Sequence, residues 1–291
     1  MLDSSPTAAP GPIGPAQPAW LRSRTDGTDV PEILEVETAR VLIEERALER
    51  PIRSVLAPDA WFLKRGLTSR AVKAALSGRS LVDARRRGKL LLLDTSDDGP
   101  TLGLHLGMSG RVIIDGEAAG DPLLYASNKD NPAWNRFGVR FADGGSMSLR
   151  DPRRLGSVEL DPDERRLGPD ALTLTRARLD EVVSASRAPV KAVLMDQSRI
   201  AGLGNLLTDE ALWRAGIDPA RSAETLSADD RVRLHRAIRT TVRTLGRRGG
   251  SHTGDHMPAR LPGGMCPRDG AAMLRRTVGG RTTYSCSLHQ R

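Results

Sequence analysis

The chain has 291 residues, of which 38% are hydrophobic, enough for two packed units with cores of their own. Lys and Arg number 44 against 36 acids, a formal charge of +8, which favours a polyanionic partner, most simply nucleic acid, over a role of charge in solubility alone. No apolar run is long enough for a membrane span, and the opening residues lack the basic start and apolar centre of a secretory signal, so a cytoplasmic, nucleoid-associated protein is expected.

Residues 1–29 are rich in Pro, Ala, Ser, Gly and Thr and are expected to form a disordered extension. Their two arginines and three aspartates leave the basic excess to the rest of the chain. An amphipathic helix is predicted over 35–48, stopped by Pro51 and introduced by Pro31, Glu32 and Glu35. Proline suits the first helical position, and acids suit the positive end of the helix dipole. Residues 52–63 read as extended and 68–76 as a short helix. From 81 to 160 the pattern is β, with short strands and an Asp143-Gly144-Gly145 hairpin signal, as in an antiparallel sandwich. Residues 161–173 form a linker. Helices are then predicted over 175–184, 188–196, 205–215 and 227–246, and a Gly/Pro/His loop runs over 249–264. The expected fold is therefore α+β. Its units are an extension (1–29), a β-sandwich bearing the first helix (30–160), a helical unit (161–250), and a loop with a terminal hairpin (251–291).

Several stretches carry chemistry beside a plainer structural reading. Gly202-Leu203-Gly204-Asn205 is a turn between helices, explained by packing alone or by phosphate approaching its backbone. Met108, between Gly107 and Gly110, is either a core side chain or an apolar wedge for a base stack. Arg153 and Arg154 are either solvated or fill a duplex from which a base has left. Lys89 either snorkels at a strand edge or holds a phosphate. Cys266 and Asp269, then Cys286 and His289, share the spacing of a zinc ribbon, with His252 and His256 as competing ligands and a metal-free hairpin as the alternative.

These stretches, in this order, resemble the formamidopyrimidine-DNA glycosylase / endonuclease VIII family. The matching pieces are Pro31-Glu-Ile-Leu-Glu-Val-Glu37, Arg87-Gly-Lys-Leu-Leu-Leu92, His105-Leu-Gly-Met-Ser-Gly110, Asp151-Pro-Arg-Arg-Leu-Gly156, Met195-Asp-Gln197 with residues 200–210, and Gly280-Arg-Thr-Thr-Tyr-Ser-Cys286. The resemblance implies a β-sandwich, a helix–two-turn–helix unit and a zinc finger around damaged double-stranded DNA, in a monomer of base excision repair. It implies that Pro31 attacks C1′ and forms a Schiff base, with Glu32 as general acid/base, Glu35 in support and Lys89 on phosphate. It further implies that Lys191 contacts phosphate, that Asn205 and Arg281 clamp the backbone, and that Met108, Arg153 and Leu155 fill the vacated space. Cys266, Asp269, Cys286 and His289 would hold one structural zinc. The activity implied is base excision followed by strand cleavage at the abasic site.

Four features depart from the family's usual pattern. Pro31 is internal, so the chemistry requires that translation begin at Val30 and the initiating residue be removed. Leu34 stands in place of a proline, Leu155 in place of a phenylalanine, and Asp269 with His289 in place of two cysteines. The loop at 249–264 is also short. The alternatives are a non-enzymatic damage binder and a glycosylase without proline-dependent lyase activity.

Overall fold

The structure, a computed structural model, describes residues 31–120, 129 and 131–291. The extension at 1–29 and the residue before Pro31 lie outside the described residues.

Helix α1 spans Ile33–Arg46, starting two residues before the predicted boundary. Glu32 takes an extended backbone ahead of it, and the Glu32 N–H donates to Glu35 Oε2 at 2.8 Å. Ile33, Val36, Ala39 and Ile43 are fully buried along one side, the period expected of a helix lying on a core. The expected extended run at 52–63 is only half right. Strand β1 covers Ile52–Leu56, but Ala60–Phe62 form a 3-10 turn because Asp59 accepts from the Trp61 N–H and drives Phe62 inward. Helix α2, Ser69–Leu76, is capped by the Thr68 hydroxyl.

Two antiparallel sheets follow. One has strand order β1-β7-β8-β5-β6 and the other β2-β3-β4-β9. Their strands are β2 Leu81–Arg87, β3 Leu90–Thr95, β4 Leu102–His105, β5 Arg111–Ile114, β6 Glu117–Ala118, β7 Asn135–Phe141, β8 Ser146–Arg150 and β9 Ser157–Leu160. Alternate residues of both sheets share one core, for example Val139 and Leu149 from the first with Leu91, Leu93, Leu104 and Val158 from the second. The run Leu91-Leu92-Leu93 is buried throughout, so β3 is covered on both faces and shows no polar alternation.

The helical unit has its own core. It comprises α3 (Arg176–Ser184), α4 (Val190–Met195), α5 (Asn205–Ala215) and α6 (Ala228–Arg247). Ser227 and Asp230 close a reciprocal capping box at the start of α6. Helix α5 is buried almost end to end, charged residues included. The chain ends in the hairpin β10 (Met273–Val278) and β11 (Arg281–Cys286), which packs on α5. The two large units meet through paired charge: Arg86, nearly buried, bonds Glu37 at 2.8 Å and Asp170 at 2.5 Å. No helix among the described residues is long and apolar enough to cross a membrane.

Asp209 on α5 holds two buried cations. Lys191 Nζ lies 2.7 Å from its Oδ1, and Arg260 pairs with its Oδ2. Removing the shared anion strands both charges, so Asp209→Ala should lower unfolding free energy by about 3–5 kcal/mol. Glu181→Ala, which breaks an exposed pair with Arg178, should cost no more than about 1 kcal/mol. Urea titration of the two variants checks this, and equal costs would contradict it.

Candidate active site and metal centre

The site forms where the start of α1 meets the turn that opens α5. Glu32 is fully buried. Its Oε2 accepts from the Gly204 N–H at 2.7 Å and the Leu207 N–H at 3.2 Å, and its Oε1 accepts from the Leu206 N–H at 2.7 Å. The carboxylate thus occupies the positive end of α5 and uses amides that a helix start leaves without partners. The Ile33 N–H donates to the Gly202 carbonyl at 3.1 Å, a second link between the same two segments. Gly202 has φ +114°, and a Cβ there would meet Ile33 Cδ1 at 2.5 Å. A Cβ on Gly204 would stand 2.4 Å from Glu32 Cδ and 2.6 Å from Lys89 Nζ. The glycines are therefore required by the approach of α1 and Lys89, a stronger reason than helix packing alone.

Burial pushes the Glu32 carboxyl up to about 7. Glu35 adds to the rise, while Lys89 and the Leu206 and Gly204 amides work against it. Lys89 sits in the β2–β3 turn and reaches the same point. Burial lowers its ammonium pKa, Arg281 adds to the lowering, and Glu32 and Glu35 oppose it. Glu35 acts as a strut. One oxygen accepts the Glu32 N–H, and the other accepts the N–H and hydroxyl of Ser251, each at 2.7 Å. Pro31 is buried beside this assembly. Pro31, Glu32, Glu35 and Lys89 are thus brought together.

The expected wedge residues lie on two loops held by one buried acid. Asp151 accepts from the Ser109 hydroxyl, from the Arg153 N–H at 3.1 Å, and from the Leu155 and Gly156 N–H groups at 2.8 and 2.7 Å. Gly107, φ +62°, lies so close to Leu155 and Gly156 that any Cβ would overlap their backbone. Met108 is half-buried, while Arg153 and Leu155 are exposed. In the sequence Asp151 is only one member of a motif. An aspartate followed by several N–H groups at a strand end is the signal that could have marked it as the organiser.

Three expectations need correction or refinement. Lys191 does not face any surface. It is fully buried and spends its ammonium on Asp209, Thr283 Oγ1 at 2.7 Å and the Thr282 carbonyl at 3.2 Å, so it props the hairpin and is closed to phosphate. Arg154 is exposed but not free, since it grips Asp59 through two bonds of 2.7 Å. Asn205, first residue of α5, is nearly buried, and neither atom of its amide has a partner among the described residues. Arg281 opens β11 and is exposed.

The second constellation is terminal. Cys266, Asp269, Cys286 and His289 bring one donor atom each to within 4.8 Å of one another. His252 and His256 stand outside this group. The Cys266 sulfur accepts the Arg268 N–H at 3.4 Å and the Trp213 indole N–H at 3.3 Å, and the Cys286 sulfur accepts the Leu288 N–H at 3.3 Å. His289 Nε2 lies 3.2 Å from the Trp213 carbonyl, which turns Nδ1 toward Asp269 at 2.5 Å. That outer hydrogen bond orients an imidazole for metal binding. The set could hold a metal ion.

The described parts are an antiparallel sandwich, a helical unit entered through a tight glycine turn, and a Cys/Asp/His hairpin docked on one buried helix. Known proteins share this arrangement. Residues 30–158 match the formamidopyrimidine-DNA glycosylase N-terminal domain, and residues 167–255 match its H2TH domain. A formamidopyrimidine-DNA glycosylase of Thermus thermophilus is 31% identical over 289 residues, covering 90% of this chain and 98% of that one. That of Chloroflexus aggregans is 34% identical over 286 residues, with 90% and 98% covered. The Lactococcus lactis Fpg protein, solved with DNA containing FAPY-dG, superposes with TM-score 0.76 at 26% identity, over 89% of this chain and 100% of that one. The chain belongs to the formamidopyrimidine-DNA glycosylase family.

A methyl group at residue 204 cannot coexist with the present positions of Glu32 and Lys89. Gly204→Ala should therefore lose most base-excision activity while thermal unfolding stays cooperative. An alanine variant with normal turnover would show that the close approach is dispensable.

Proposed function

We propose that this protein excises oxidised bases from duplex DNA through a Schiff base on Pro31 and then cleaves the abasic strand by elimination. The observation that carries the reading is the buried Glu32 carboxyl, raised to about 7 and held beside Pro31 and Lys89. A carboxyl poised near neutrality suits proton transfer, and a pure binding protein has no use for it.

In this reading the Pro31 nitrogen is a free secondary amine, which requires removal of everything before it. The family match that begins at residue 30 supports this start. An α-amino group with a pKa of roughly 8 keeps a useful neutral fraction at cell pH. Its lone pair attacks C1′, the glycosidic bond breaks, and the base departs with a proton. Glu32 protonates the ring oxygen as the sugar opens, which leaves an iminium between Pro31 and C1′. Loss of a C2′ proton then expels the 3′ phosphate. Lys89 and Arg281, close enough for one to act electrostatically on the other, would hold the phosphates that flank the lesion. Asn205, whose amide lacks a protein partner, would satisfy it on the backbone, since a buried polar group left unpaired costs about 1–3 kcal/mol. The relatives solved with damaged DNA, including one with an abasic site, support this partner.

Cys266, Asp269, Cys286 and His289 are proposed to hold zinc. Two thiolates, one imidazole and one carboxylate make a tetrahedral donor set. When bound, the metal supplies folding energy to the hairpin and takes no part in the reaction.

Glu32 must be protonated to act as an acid on the ring oxygen, so its limb of the rate of imine formation and strand cleavage falls as pH rises through about 7. The amine limb rises over the same range, which gives a bell-shaped profile. Glu32→Gln should lower that rate by about 10²–10⁴-fold and erase the falling limb. Single-turnover rates across pH test this, and a falling limb that survives in the variant would remove Glu32 from the acid role.

A further inference from the structure

We propose that Trp61 is a DNA-stacking residue that reads the strand opposite the excised nucleotide. This role rests on the function proposed above and falls to a residue that neither the motifs nor the family resemblance singled out.

Trp61 is 67% exposed, more than any other large hydrophobic side chain described, yet it sits on one of the best anchored turns of the molecule. The Asp59 carboxylate accepts its backbone N–H at 3.2 Å. Phe62, the next residue, is fully buried, and the Lys64 N–H donates to the Val158 carbonyl at 2.9 Å. The indole is therefore displayed by a fixed frame. Lys64 Nζ stands 4.8 Å from the ring centroid and donates to the Trp61 carbonyl at 2.7 Å, a cation–π contact that sets the ring's orientation.

The same turn is bolted to the wedge. Asp59 receives both bonds of Arg154, and a Cβ on Gly156 would touch the Phe62 ring at 2.7 Å. Arg154 and Gly156 flank Leu155, itself 49% exposed. Trp61 and Leu155 thus belong to one rigid body. Leu155 is aliphatic, so the wedge lacks a ring and the neighbouring turn offers one. An exposed aromatic beside Lys64, on a turn tied by Arg154 to the loop that displays Arg153, is the pattern of a surface that stacks bases while it neutralises phosphates.

A series of contacts connects these parts within the fold. Lys89 acts electrostatically on His105, at the end of β4. Gly107 follows His105 and touches Leu155 and Gly156, and Gly156 in turn touches Phe62. The wedge thus links the Trp61 turn to the Lys89 side, and in the proposed complex Trp61 would meet the undamaged strand. Base–aromatic stacking tolerates any base, so Trp61 would support the opposite strand whatever its sequence.

The test uses the full protein and a duplex carrying a tetrahydrofuran abasic analogue, with each of the four bases opposite in turn. Trp61→Ala should weaken binding about tenfold for every opposite base, and Trp61→Phe should recover most of it. Loss on undamaged duplex should be smaller. With 2-aminopurine opposite the analogue, emission quenched by the wild type should return in Trp61→Ala. The exposed position predicts an unchanged melting temperature. Unaltered affinity and unaltered 2-aminopurine emission in Trp61→Ala would overturn the proposal while leaving the catalytic reading intact. A wild type with no preference for the abasic duplex would overturn both.

Discussion

One carboxylate is bound by three backbone amides across a gap of 172 to 175 residues, and most of the architecture serves that contact. Glu32 belongs to the sandwich unit and its amide donors to the helical unit, so the contact exists only when both units are folded and docked. Moving a charged side chain out of water is costly, and three hydrogen bonds with a helix dipole repay only part of the cost. The remaining cost appears as a carboxyl that holds its proton up to neutral pH. Stability alone would favour another residue there, and the presence of glutamate is the physical argument for function.

Helix α5 carries that arrangement to the rest of the molecule. Its first turn binds Glu32. Its middle acids bind Lys191, Arg260 and Arg214, and Glu210 also receives the Asp255 and His256 N–H groups. Near its last turn, Trp213 meets Cys266 and His289. Burial holds His256 well below the usual imidazole range, at about 3, with Arg260 adding to the effect, so it packs as a neutral ring against Trp213. The hairpin is thereby fixed to the same helix that fixes the acid. The Cys/Asp/His group that could hold a metal at one end and the buried Glu32 carboxylate at the other are both fixed to this one helix, which explains how a hairpin far along the chain can bring Arg281 within electrostatic reach of Lys89.

Element positions were legible because local signals agree with the fold. Thr68 caps α2, Ser227 and Asp230 close a box on α6, and Gly216 takes φ +70° at the end of α5. The clustering of Cys266, Asp269, Cys286 and His289 was legible from matched spacings, and the closeness of Glu32, Glu35 and Lys89 from motif order. What stayed hidden was pairing over distance. Lys191 was expected on phosphate, and its contact with Asp209 on another helix makes it internal. Arg154 reads as solvated until Asp59 arrives from a turn that itself looked extended. Ser251 gives no sign that it will bind Glu35. Each of these partnerships forms between segments whose separation the local pattern does not encode.

The proposed chemistry requires the nitrogen of residue 31 to be the atom that bonds to deoxyribose. The direct measurement is to reduce the reaction with borohydride, digest the trapped complex and map the modified peptide by mass spectrometry. The predicted result is a sugar remnant on a peptide whose first residue is Pro31. A remnant on Lys89, or on a peptide that still carries residues ahead of Pro31, would contradict it.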